Sequence, residues 1–179
     1  MATAADVQRL RAETGAGVMD SKKALEQSQG DFEKAKAILK EKGQASAAKR
    51  GDREATEGVI EAYIHGGGRI GALVELSSET DFVSRNPEFR DLAKAIAMQV
   101  AAMAPKHVHW ELLKDDEIKT LLAEHGDEKT AKAVAVLMHQ PYIKDQSKTI
   151  GDLVTALAAS TGENIRVRRI ARFGLGEAL

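Results

Sequence analysis

Apolar positions along this chain recur at a helical spacing, switch to strict alternation, and then return to the helical spacing. Val7 and Leu10 stand three apart in a first short helix that should end near Gly15. Asp20 is placed to cap a second helix carrying Ala24 and Leu25, and Gly30 breaks it. Asp31 can cap a third, in which Phe32, Ala35, Ile38 and Leu39 share one face. Three amphipathic helices of this size close only a marginal core. Residues 43 to 56 hold no large apolar side chain, so the segment reads as a linker or as an exposed helix crossing between modules.

From residue 57 the period becomes two. Ile60, Ala62 and Ile64 are expected to face the core, with Glu57, Glu61 and His65 opposite. Gly66-Gly67-Gly68 supplies a turn, and Ile70, Ala72, Val74 and Leu76 resume the alternation. This is a β-hairpin with one buried face. Asn86 then caps a helix with Pro87 at its first position, and Phe89, Leu92, Ala93, Ile96, Val100 and Met103 make its apolar stripe. Weaker helical patterns cover roughly 111 to 125 and 127 to 139. Thr149 and Asp152 form a capping box for a helix bearing Ile150, Leu153, Val154 and Leu157, ended by Thr161-Gly162. A last strand, 164 to 173, should pair with the hairpin. The expected fold class is α+β: a three-helix N-terminal module over 1–42, a linker over 43–56, and a core over 57–179 built from a small antiparallel sheet packed on helices.

Composition narrows the possibilities. At 43% apolar and 30% charged, the chain can bury a core, which excludes wholesale disorder. With 26 basic and 27 acidic side chains it lacks the basic excess of a dedicated nucleic-acid binder. The absence of cysteine excludes disulfides, thiol nucleophiles and cysteine-based zinc sites. No apolar run approaches the ~18 residues that cross a bilayer, and no secretory signal is visible, so a soluble cytoplasmic protein without a membrane role is expected.

Candidate chemistry is sparse. His65, His107, His109, His125 and His139 show no metal-ligand spacing and are expected to be solvent-exposed. Gly66 to Gly68 lie between strands rather than opening a helix, so they are not a phosphate cradle. Arg166, Arg168, Arg169 and Arg172 make the last strand basic, but aromatic residues for RNA stacking are missing apart from Phe173. Pairing of these arginines with Glu57, Glu61 and Glu75 is the simpler account, and the Arg168-Arg169 doublet marks a place for a bulge. No acid, base, nucleophile and metal constellation can be assembled, which argues against covalent catalysis.

One segment is unusual. Ser77-Ser78-Glu79-Thr80-Asp81-Phe82-Val83-Ser84-Arg85-Asn86-Pro87 places two apolar side chains in a polar connection between a strand and a helix cap. Either Phe82 or Val83 tucks under the following helix as a hydrophobic staple, or an apolar wedge beside a carboxylate faces a partner protein. The residues alone leave both readings open.

Thr14-Gly15-Ala16-Gly17-Val18-Met19-Asp20-Ser21-Lys22-Lys23-Ala24-Leu25 and Glu79-Thr80-Asp81-Phe82-Val83 closely resemble the two signature segments of the elongation factor Ts family. Gly30-Asp31, Gln140-Pro141-Tyr142, Ser147 to Gly151 and Asn164 to Arg169 resemble the family too, so the likeness runs along essentially the whole chain. It implies a guanine-nucleotide exchange factor for elongation factor Tu, with no covalent chemistry and no cofactor of its own. The helical module would be ubiquitin-associated-like and would dock on the GTPase. By resemblance, Leu10, Arg11, Thr14, Gly15, Ala16, Gly17, Met19, Arg50 and His65 are candidate partner contacts. Thr80, Asp81, Phe82 and Val83 would dislodge Mg²⁺ from elongation factor Tu, Phe82 as the wedge and Asp81 as a polar anchor of the loop. The His65 to Val74 hairpin runs straight into the Thr80 loop, a single fused core resembling the short members of the family, which implies a homodimer. Tyr63 and Leu73 are expected on the outward face that would be covered. Ser21 departs from the family, where cysteine is frequent, so no covalent link can join such a dimer. The competing reading is a ubiquitin-associated-like adaptor that binds partners without altering nucleotide exchange.

Overall fold

The computed structural model describes residues 2–177. Residues 1, 178 and 179, at the outer limits of the first and last expected segments, lie outside them. The chain opens with helices α1 (Ala4–Thr14), α2 (Val18–Gln27) and α3 (Phe32–Arg50). Strands β1 (Glu57–His65) and β2 (Ile70–Ser78) follow, then a single turn α4 (Asp81–Ser84) and the long helix α5 (Pro87–Met103). Helices α6 (Asp115–His125) and α7 (Glu128–Ala135) form a hairpin. A short ribbon, β3 (Pro141–Tyr142) and β4 (Asp145–Thr149), leads to α8 (Ile150–Thr161) and the final strand β5 (Arg166–Gly174). The α+β class expected from the pattern is the one observed.

The main sheet is antiparallel in the order β1-β2-β5. Its inner face presents Val59, Ala72, Val74, Leu76 and Val167 to Phe89, Ile96 and Val100 of α5, with Ile150, Val154 and Leu157 of α8 in the same core. Helix α5 starts as expected, with Pro87 in its first turn and the Asn86 side chain accepting from Glu88 N–H. Thr149 and Asp152 form the expected capping box. Met103, expected in the apolar stripe, is exposed, because α5 ends there and Ala104 takes a left-handed conformation.

The first strand is turned over relative to the expectation. His65 pairs with Ile70, so every pair in the hairpin joins an even position to an odd one: Val59 with Leu76, Tyr63 with Ala72, Ile60 with Glu75. Residues directly opposite share a face. The even residues Ala72, Val74 and Leu76 are buried, so Ile60, Ala62 and Ile64 must face outward, and all three are exposed. Tyr63, expected outside, packs on the core instead, while Leu73 is outside as expected. The bulge falls where the arginine doublet placed it: Glu75 opposes Arg169 and Leu76 opposes Val167, leaving Arg168 unopposed. Both Arg168 and Arg169 pair with Glu75.

The N-terminal helices close their own core around Val7, Leu10, Ala24, Leu25, Ala35 and Leu39. Helix α2 begins earlier than expected: Gly17 is its N-cap, and Asp20 sits in the first turn, where a carboxylate favours the positive end of the helix dipole. Asp31 caps α3 as expected. Of the segment 43–56, residues 43–50 complete α3. Gly43, Ser46, Ala47 and Arg50 recur at helical spacing and are half-buried. This face of small residues lets α3 approach α8 closely: a Cβ on Gly43 would lie 3.4 Å from Thr155 Cγ2. Lys40 Nζ reaches Asp152 Oδ1 at 2.9 Å, and an Arg50 amine donates to the Ala158 carbonyl at 2.8 Å, fixing the helical module to the core.

A buried amide pair locks the ribbon to α5. Gln99 Nε2 donates to Gln140 Oε1 and to the Pro141 carbonyl, both at 3.1 Å, and Gln99 Oε1 accepts from Ile143 N–H at 3.0 Å. Gln140 Nε2 in turn donates to the Val134 carbonyl at 2.7 Å.

Candidate functional site

The unusual loop resolves into a one-turn helix on a rigid base. Thr80 is the N-cap of α4, its Oγ1 accepting from Val83 N–H. Ser78 Oγ donates to the Thr80 carbonyl at 2.9 Å, and Ser84 Oγ to the Asp81 carbonyl at 3.0 Å. The two apolar residues part ways. Val83 is 7% exposed and sits in the main core, whereas Phe82 is 84% exposed, the highest value among the large hydrophobic side chains of the described residues. Val83 is therefore the residue that tucks into the core, and Phe82 the apolar residue left exposed beside a carboxylate. Asp81 is also exposed, and its Oδ2 meets Arg85 at 2.8 Å, an i,i+4 pair that steadies the turn.

The deeper anchor of the loop comes from far along the chain. Glu163, between α8 and β5, accepts from Glu79 N–H and Thr80 N–H at 3.1 Å each, and from Thr80 Oγ1 at 2.6 Å. Its neighbour Asn164 donates its backbone N–H to Glu79 Oε1 at 2.6 Å and its amide to the carbonyls of Gly51 and Arg53.

Across from Phe82, the turn after α1 is set by Gly15, whose φ of 70° is left-handed and suits glycine. Thr14 Oγ1 donates to the Leu10 carbonyl at 2.7 Å and accepts from Ala16 N–H at 3.3 Å. The turn leaves Val18 and Met19 exposed at 54% and 61%. Between this turn and the loop lies an open groove of about 910 Å³, lined by Arg11, Gly15, Phe82, Glu88, Leu153 and Ser160 among others.

A scan against protein families matches the elongation factor TS model over residues 2–134. The chain belongs to the elongation factor Ts family. Curated relatives named elongation factor Ts are similar over its length. That of Carboxydothermus hydrogenoformans is 48% identical across 100% of this chain and 91% of its own, and that of Moorella thermoacetica 46% across 100% and 98%. The chloroplastic elongation factor Ts of Guillardia theta is 48% identical, covering 99% of this chain and 90% of its own. The family role lies in the elongation stage of translation.

Both signature segments of the elongation factor Ts family thus border one groove. Arg11, Gly15, Gly17 and Met19 are exposed, and Thr14 and Ala16 half-buried. Three expected contacts, Leu10, Arg50 and His65, do not line the groove. Leu10 is fully buried, because its side chain fills the three-helix core, so it supports the surface from beneath. Arg50 is half-buried and spends its guanidinium on the Ala158 carbonyl and on Ser46 Oγ. His65 is exposed and stacked on Tyr63, but it lies at the far end of β1, a strand length of roughly 25 Å from the Thr80 loop.

Three residues near this surface were given no role by the sequence: Val18 and Asn164 stood only within family-like segments, and Glu163 belongs to no local pattern. The remaining histidines also depart from expectation. His107, His109, His125 and His139 are half-buried, since the segment between α5 and β3 folds back on the core and His109 Nε2 meets the Val167 carbonyl at 2.9 Å. Among the described residues no cluster of His, Asp or Glu could hold a metal ion, and no helix is long and apolar enough to cross a membrane.

Proposed function

We propose that this protein is a guanine-nucleotide exchange factor for elongation factor Tu. The observation that carries the reading is Phe82, a large aromatic side chain held almost wholly in solvent by a capped, anchored turn. Fixing the backbone turn that carries such a side chain in advance removes an entropy cost that a mobile loop would meet on binding.

In this reading the groove between the helical module and the core receives the GTPase, with Arg11 and Gly15 on one wall and Phe82 on the other, and the exposed Val18 and Met19 add contacts outside its lining. Thr80, Asp81, Phe82 and Val83 form the element that disturbs the Mg²⁺ and phosphate site of the partner. Bound GDP depends on Mg²⁺ and on backbone N–H groups around its phosphates, so a wedge that displaces their supports weakens it steeply. No bond is made or broken. The factor favours the empty GTPase, and by linkage nucleotide weakens the factor as much as the factor weakens nucleotide. A Mg²⁺ ion belongs to the partner, so the factor needs no cofactor. Its place of action is the cytoplasm, without membrane or direct nucleic-acid contact.

The protein acts as a homodimer in this reading. Ile60, Ile64, Leu73 and Phe173 are 66%, 65%, 44% and 66% exposed and share the outer face of the sheet. A contiguous apolar face on a three-stranded sheet calls for cover, and a second copy supplies a matching one.

The test is release of a fluorescent GDP analogue from purified elongation factor Tu. Wild-type protein should accelerate release, and Phe82→Ala should lose about tenfold or more of that acceleration, as expected for an aromatic anchor. A complex that forms without acceleration would overturn the exchange reading in favour of an adaptor.

A further inference from the structure

We propose that Glu163 is the positioning residue of the wedge, the side chain that fixes the angle at which Phe82 is presented. The proposal rests on the exchange reading above and adds to it a residue outside both signature segments.

The geometry is specific. One carboxylate receives three hydrogen bonds from two consecutive residues: the N–H groups of Glu79 and Thr80 converge on Oε2, and the Thr80 hydroxyl donates to Oε1. A carboxylate only accepts, so the hydroxyl proton is committed to it and a lone pair of Thr80 Oγ1 turns to Val83 N–H. That second bond is the N-cap of α4. Carboxylate, hydroxyl and cap thus form a chain whose last link sets the axis of the turn carrying Phe82. Helix α4 has four residues and could not hold its own direction unaided.

Glu163 is itself firmly placed. Gly162, at φ 74°, ends α8 in a left-handed cap and turns the chain toward the loop. Asn164, 6% exposed, then grips Gly51 and Arg53 through its side chain and Glu79 through its backbone. Neighbouring residues therefore bind the wedge loop on one side and the end of the α3 connection on the other. The loop and the helical module, which form the two walls of the groove, are referred to the same short turn. Hydrogen bonds to an ionised acceptor are about twice as strong as neutral ones, which suits a single residue for this load.

The experiment measures analogue release against factor concentration for wild type, Glu163→Ala, Glu163→Gln and Phe82→Ala, with amide hydrogen exchange at Glu79 and Thr80. Glu163→Ala should lower the maximal release rate about tenfold while shifting the half-saturating concentration less than about threefold, because the other contacts to the GTPase persist. Glu163→Gln, whose carbonyl can still accept and whose amide can donate to Thr80 Oγ1, should stay within about twofold of wild type. A variant that merely loosened the protein would move affinity and rate together and would not be rescued by glutamine. Should Glu163→Ala fail to fold, Glu163→Asp, which keeps the charge at shorter reach, must show the same split. A full maximal rate in Glu163→Ala, with Phe82→Ala impaired, overturns the positioning role and leaves the exchange reading standing. No acceleration by wild type overturns the exchange reading, and the positioning role falls with it.

Discussion

Phe82 and Val83 are adjacent in the chain and opposite in environment, the first 84% exposed and the second 7%. The single turn of α4 makes the difference, since successive residues on a helix point about 100° apart. Truncating each should therefore have separable effects. Val83→Ala removes buried methyl groups and should cost about 1 to 2.5 kcal/mol of stability. Phe82→Ala should change stability by less than about 0.5 kcal/mol, as for other surface substitutions. Urea unfolding of both variants checks this, and a large loss in Phe82→Ala would mean that the ring supports the fold.

The Gln99–Gln140 pair gives a second expectation. Both side chains are fully buried, and Gln99 satisfies the Pro141 carbonyl and Ile143 N–H as well. Gln99→Leu keeps the volume but strands these partners. It should lower stability by about 2 to 4 kcal/mol, read as a fall in the denaturation midpoint at unchanged slope.

Ser21 offers the converse. It is completely buried on α2, and its Oγ has no hydrogen-bond partner. A stranded hydroxyl in an apolar setting is a cost, so Ser21→Ala should raise stability by about 1 kcal/mol. The gain should appear as slower hydrogen exchange in the helices around Leu10 and Leu25. An unchanged or faster exchange would mean that the hydroxyl is better satisfied than its surroundings indicate.

These contrasts mark how far the sequence could be read. Long apolar stripes and caps, such as Phe89 to Val100 behind Asn86-Pro87, identify their helices because local pattern and burial agree. The first strand misleads because both of its parities carry apolar residues, Val59 and Tyr63 on one and Ile60 and Ile64 on the other. Only the pairing of His65 with Ile70 decides between them. The α3 extension was obscure because its packing face is built of glycine, serine and alanine, whose value lies in close approach rather than hydrophobicity. The two signature segments were legible as motifs. Glu163 was not, since its partners lie 83 and 84 residues away and no periodicity links them.

Acid should weaken the attachment of the helical module. Burial pushes the Asp152 pKa upward, but the Thr149 N–H and hydroxyl, together with Lys40, outweigh it and hold the carboxyl below its usual value. The folded state thus favours the ionised form. This contribution is complete above the unfolded-state pKa of about 4 and is lost as pH falls through the lower folded-state value. Unfolding midpoints followed from neutral pH into this acid range should fall more steeply for wild type than for Asp152→Asn. Parallel curves would show that the Lys40–Asp152 contact between α3 and α8 contributes nothing in solution.

The outer sheet face gives the last expectation. Ile60, Ile64, Leu73 and Phe173 are spread over all three strands, and Leu73 lies on the central one, opposite Ala62 and Ala171. A charge at that position would be buried at the middle of a paired face whose one nearby carboxylate, Glu75, is already paired with Arg168 and Arg169, at a cost of several kcal/mol. Because Leu73 is already 44% exposed in the single chain, Leu73→Arg should leave the fold intact. Light scattering coupled to gel filtration should then give twice the chain mass for wild type and the chain mass for the variant, with matching circular dichroism. A monomeric wild type, or a variant that keeps the doubled mass, would exclude this face as the contact between copies.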